Sequence, residues 1–168
     1  MRQPDIVMLF DYSYWATRQV LDIAAEISDE QFAAPSEVTW RGIRGTLVHT
    51  LDVERSWRGR LRREPKESWD RDLRDDDYPT VQALAEYWER DEHEMRSWLQ
   101  GLDDAALEAV VDLGGNDRFP LWYFLLHVIT HSAQQRRDVV ILLTGLGHPP
   151  PEIEFLNYGD WLRDREGD

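Results

Sequence analysis

Apolar positions along the chain recur every three or four residues in four long stretches and almost nowhere alternate with polar ones. From Pro4 to about Ile27 the positions Ile6, Leu9, Phe10, Thr17, Val20, Leu21, Ala24 and Ile27 follow helical spacing, and Pro4 sits in a first turn that needs no N–H. "SDEQ", Ser28 to Gln31, has the form of a capping box and predicts a short turn before a loop through Pro35. A second helix is predicted from about Gly42 to Arg62. It turns Leu47, Leu51, Trp57 and Leu61 toward a core and lines up His49, Val53 and Trp57 in one strip at i, i+4 and i+8.

The 17 residues that follow, "REPKESWDRDLRDDDYP", are charged, broken by proline and without apolar period. They read as a surface connection long enough to cross a bundle from end to end, because extended chain covers more than twice the distance per residue that helix does. Thr80 is a good N-cap for a third helix carrying Leu84, Trp88, Met95, Leu99 and Leu102 and ending at Gly101. Asp91 and Glu92 fall where this stripe should be apolar. Ordinary burial preferences place them at its edge; the other reading is a polar spot in the core. "DLGGNDRFP" reads as a loop, and Pro120 opens a fourth helix running through Leu143, stopped by Gly145 and Gly147 and sealed by "HPPP". The tail carries Ile153, Phe155, Leu156 and Trp161, enough to dock as a short helix, with the last few residues fraying.

These elements predict an all-α fold, a four-helix bundle with a short C-terminal segment docked on it, as a single domain over residues 1–168. Spacing alone leaves the order of connections open. Eight tryptophans and a 42% hydrophobic share fit a folded chain. The net charge of −14 repels phosphate backbones and anionic headgroups, which argues against nucleic acid as a partner. No apolar run approaches a membrane span, and the N-terminus lacks the uninterrupted apolar region of a signal peptide, so a cytoplasmic location is expected. The chain has no cysteine. Any metal must therefore be held by nitrogen or oxygen, and any thiol chemistry must use a thiol brought by a substrate.

Candidate chemistry centres on "LHVITHSAQQR" in the fourth helix, where His127, His131 and Gln135 follow one another at four-residue intervals. Side chains four apart stack on one helix face, close enough for two imidazoles to share an ion. At about 100° per residue, His127 and Gln135 lie about 40° to either side of His131, so an ion meets one of them more readily than both. His49 is the only histidine of the second helix and the candidate from outside. Spacing alone equally suits separate histidines with structural roles. His93, flanked by acids, reads as solvated, and His148 as a loop residue.

Three segments, "LFDYSYWATRQVL", "GTLVHTLDVERSW" and "HVITHSAQQRRDVVILLTGLGHPP", resemble in order the signatures of the DinB-like superfamily of metalloenzymes, which includes YfiT-like bacillithiol transferases and mycothiol-dependent proteins. The resemblance implies a four-helix bundle, often a homodimer, holding a divalent ion such as zinc, nickel or manganese with three histidines. It places ligands at His49 and His131, and puts Gln135 where the family has its third histidine. Thr130 stands for the family asparagine, and Arg137-Asp138 for Gly-Gln. Three outcomes are open: Gln135 or water completes a weaker site, His127 supplies the missing imidazole, or the metal has been lost. The activity implied is transfer of a low-molecular-weight thiol to an electrophile. The alternatives are a non-catalytic bundle and a metal-dependent hydrolase, for which Asp91, Glu92 or Asp138 would have to serve as base.

Overall fold

The computed structural model describes residues 1–166, and the fraying expected at the extreme C-terminus concerns residues outside that range. The described chain folds into α1 (Gln3–Ala24), α2 (Asp29–Ala33), α3 (Ile43–Leu61), α4 (Lys66–Trp69), α5 (Val81–Gln100), α6 (Asp104–Glu108), strands β1 (Val110–Asp112) and β2 (Arg118–Pro120), α7 (Leu121–Gly145) and α8 (Phe155–Glu166). The fold is all-α, and the long helices start and stop where the sequence predicts. Ser28 and Gln31 form the capping box of α2, Thr80 caps α5 by accepting from the N–H of Ala83, and Gly101 ends that helix. Gly147 follows α7 at φ 87°, a left-handed conformation that glycine adopts without strain, and lets the N–H of His148 reach back to the carbonyl of Leu143.

Two apolar clusters fill the bundle. One gathers Val20, Leu21 and Ala24 of α1, Leu47 and Leu51 of α3, Leu84 and Trp88 of α5, and Val139 and Leu143 of α7. The other gathers Ile6 and Phe10, Leu61, Met95 and Leu99, and Leu121 to Ile129. The early residues of α1 and α7 thus share one end with the late residues of α3 and α5. So α1 and α7 run one way, α3 and α5 the other. Each of α1 and α3 packs against both α5 and α7, which puts α1 diagonally across from α3.

This arrangement decides the connection order that spacing left open. Because α3 and α5 are parallel, residues 62–80 travel the full length of the bundle, as their length allows. Arg55 of α3 straps the crossing down, donating to the backbone carbonyls of Ser68 (2.9 Å), Trp69 (3.4 Å) and Arg71. The indole of Trp69 lies directly over Gly59. Midway along α1, Tyr12 and Trp15 receive Phe155, Tyr158 and Trp161 of α8, which docks the tail as expected.

Two local expectations need correction. The flanks of "DLGGNDRFP" pair as a hairpin, with Val110 opposite Pro120 and Asp112 opposite Arg118. Gly114 (φ 88°) and Gly115 (φ 62°) supply the left-handed turn. Three-residue strands are too short for alternation to register. Asp91 does not sit at the stripe edge; it is buried, 4% exposed, in a polar layer between the two apolar clusters.

Candidate metal centre

His49 of α3 and His131 of α7 meet across the seam between these antiparallel helices. Their ring centroids are 5.3 Å apart and their planes 74° to one another. Burial lowers the pKa of His131 to about 4, with further lowering by the neighbouring charges of His49 and His127. Burial also lowers that of His49, and the guanidinium of Arg41 adds to the effect. Both rings are therefore neutral near pH 7, which leaves a nitrogen lone pair on each. His131 Nδ1 is buried and has no hydrogen-bond partner.

The donor set can be tested against an ion. Zinc–nitrogen bonds of about 2.1 Å at a tetrahedral angle hold two imidazole centroids about 5 Å apart. The His49–His131 pair matches that spacing. His127 does not: it is exposed, its centroid is 6.3 Å from that of His131, and its ring leans on Trp57 at 5.2 Å. Among the described residues no three His, Cys, Asp or Glu side chains gather as a metal-binding group. Gln135, half-buried one turn beyond His131, offers an amide oxygen. The residues fit an ion held by two imidazoles, with an amide or water as weaker partners. His93 is exposed, and His148 Nδ1 lies 3.1 Å from Glu26.

Behind the pair lies a polar layer to which all four long helices contribute. Glu54 of α3, 2% exposed, accepts from Ser132 Oγ at 2.6 Å and from Trp88 Nε1 at 3.1 Å. Burial pushes its pKa up to about 7, with the charge of Asp91 also raising it, against the lowering effect of the Ser132 hydrogen bond and the charge of Arg136. Arg58 donates to both the carboxylate and the carbonyl of Asp91. Arg136, buried, donates to Ser13 Oγ at 2.9 Å and Thr17 Oγ1 at 3.1 Å. The signal for this layer is present in the sequence. Glu54 and Arg58 continue the 4-3 spacing of Leu47, Leu51 and Leu61, and Ser132 and Arg136 do the same between Val128 and Val139. Each stripe turns polar over one or two turns at the same height. Asp91 and Glu92 are thereby taken up in ion pairs, Glu92 with Arg18 and Arg96, and neither faces the His49–His131 pair as a free base.

The seam continues as a file of touching aromatic rings. Trp40 lies 6.5 Å from His49. On the far side of His127, Trp57 stacks on Phe124 at 5.6 Å. Phe119 meets Phe124 at 5.9 Å and stacks on Tyr123 at 4.3 Å. The hairpin that sequence reading took for a loop thus carries one of these rings.

No described helix is long and apolar enough to cross a membrane. No curated protein matches the chain. A family model described as the DinB family matches residues 1–166.

Proposed function

The chain belongs to the DinB family, and from that premise we propose that it is a divalent-metal-dependent enzyme transferring a low-molecular-weight thiol to an electrophile. What carries the reading is the His49–His131 pair: two neutral imidazoles from different helices at the spacing of ligands that share an ion, one with a buried nitrogen lacking a partner. These two would hold zinc, nickel or manganese, with Gln135 or water alongside. A bound ion supplies Lewis acidity and stabilises a thiolate.

The chain's own residues do the remainder. Transfer breaks the thiol S–H bond, forms a bond from sulfur to the electrophilic carbon and breaks that carbon's bond to its leaving group. The leaving group departs with the electron pair (chloride, in chlorodinitrobenzene) while the thiol proton is released. The exposed imidazole of His127, one turn from His131, takes that proton. The absence of cysteine is compatible with a thiol that arrives as substrate. The net charge of −14 supports a small molecule rather than nucleic acid as partner. Exposed apolar side chains such as Val38, Ile141 and Leu146 support the homodimer.

A second reading, a non-catalytic bundle, is favoured by one observation: Gln135 stands at the third ligand position. Metal analysis of protein purified without an affinity tag separates the two, combined with thiol consumption in the presence of chlorodinitrobenzene. Near-stoichiometric metal lost in His131→Ala, and a thiol-dependent rate abolished in His49→Ala, support the enzyme. A metal-free protein whose stability ignores chelator, with no thiol-dependent rate, leaves only the bundle.

A further inference from the structure

We propose that the aromatic file along the α3–α7 seam binds a planar aromatic anion, and that this is the electrophilic partner of the thiol; the second clause rests on the function proposed above, the first does not.

The seam keeps large aromatic faces in solvent where a soluble protein has reason to hide them. Trp40 is 86% exposed, Tyr123 45% and Phe119 36%, and half-buried Trp57 joins them to the histidines. Rings in contact at 4.3 to 5.9 Å, Phe119 stacked on Tyr123 and edge-on to Phe124, form a rigid apolar surface with few rotamers to freeze on binding. Such a surface recognises another flat π-system through its faces, as base-stacking platforms do.

Charge narrows the ligand further. The guanidinium of Arg41 lies 4.4 Å over the Trp40 ring, and that of Arg60 lies 5.4 Å over the Trp57 ring. Among the described residues neither is in an ion pair, although the chain carries 33 carboxylate side chains against 19 cations. Two cations without an ion pair thus stand at either end of the row of histidines, each over a ring of the file. A planar ligand reaching Trp57 would take the place of the Arg60 guanidinium on the ring face that Phe124 leaves open, pairing its carboxylate with that guanidinium beside His127. An uncharged or cationic ligand would leave that guanidinium unanswered.

The test titrates chelator-treated full-length protein with naphthalene-2-carboxylate while following the five histidine ring resonances by NMR. The expected result is saturable binding that shifts His127 and His131 and leaves His93 and His148 in place. Cyclohexanecarboxylate, which lacks the π-face, and naphthylmethylammonium, which reverses the charge, should each bind roughly tenfold more weakly or worse. Arg60→Gln and Tyr123→Ser, both at solvent-accessible side chains, should each weaken binding by about threefold to tenfold. Equal affinity for the cationic naphthalene, shifts spread over all histidines, or unchanged affinity in both variants overturns the proposal. So does a strip sealed by a second copy of the chain, seen as a dimer that excludes the probe. Because the titration uses metal-free protein, a chain that binds the probe yet transfers no thiol sinks the preceding function and leaves this surface standing.

Discussion

Ser132 donates a 2.6 Å hydrogen bond to Glu54 in the centre of the bundle, while the residue before it in the chain, His131, turns outward to His49. One turn of α7 thus serves two chemically opposite tasks, holding an acid protonated on one side and a base unprotonated on the other. The two groups should leave opposite marks on the pH dependence of stability.

Glu54 keeps its proton in the fold up to about pH 7, whereas in the unfolded chain it loses it near 4.5. Between those values the native state binds the extra proton, so the Glu54 contribution to stability is full below pH 4.5 and is lost as pH rises through 7. The loss is on the order of 3 kcal/mol. Glu54→Gln should remove this slope, with its amide oxygen still accepting from Trp88 and its amide nitrogen donating to Ser132. Urea midpoints of variant and wild type between pH 4.5 and 8 give the difference; parallel curves would contradict the assignment.

His131 runs the other way. Its folded pKa of about 4 lies below the unfolded 6.5, so its contribution is present above pH 6.5 and lost as pH falls toward 4. For metal binding the same shift means that no proton has to be displaced from this ring above about pH 5. Zinc affinity, measured by competition with a chromophoric chelator, should begin to fall at a lower pH than for a site of ordinary imidazoles, since both His131 and His49 are lowered. A steep loss beginning at pH 6.5 would show an ordinary imidazole.

Gln135→His restores the third imidazole of the family pattern on the turn after His131. Metal affinity should rise by at least about tenfold, since imidazole nitrogen is the better donor for zinc or nickel. Calorimetric titration of the two proteins with zinc measures it. No gain would mean that position 135 does not face the pair.

Asp91 and Arg58 are 2% and 11% exposed at their side chains and neutralise each other inside the bundle. Asp91→Ala leaves a buried guanidinium unpaired and should cost about 3–5 kcal/mol. The double variant Asp91→Ala with Arg58→Met should recover much of that. A double-mutant cycle by chemical unfolding tests this, and strict additivity would refute it.

Gly59→Ala would set a methyl group 2.6 Å from Cβ of Trp69, too close for the ring to absorb by rotating. The crossing segment must lift from α3, at a cost of about 1–3 kcal/mol. Thermal unfolding should show the loss, along with easier proteolysis between residues 62 and 80.

The four long helices were legible because their caps are local: Ser28, Thr80, Gly101 and Gly147 act on their own backbone. The strand pair at Val110 and Pro120 was not, because three residues carry no readable period. The candidate site was legible as two residues, His49 and His131, through likeness to a family rather than through spacing, which suited separate histidines equally well. Glu54 was missed although it breaks an apolar stripe just as Asp91 does. A single polar residue in a stripe reads as an edge, and only the coincidence of four such breaks at one height marks a layer. Height in a bundle depends on which helices run parallel, and no local pattern carries that.

Because the crossing makes α3 parallel to α5 and sets α1 diagonal to α3, every major interface of the bundle joins one helix from the first half of the chain to one from the second. Neither half owns a helical hairpin that could mature by itself. The nascent polypeptide must wait for α7 before α1 or α3 finds its full set of neighbours, so assembly is governed by distant encounters and should be slow for a helical protein.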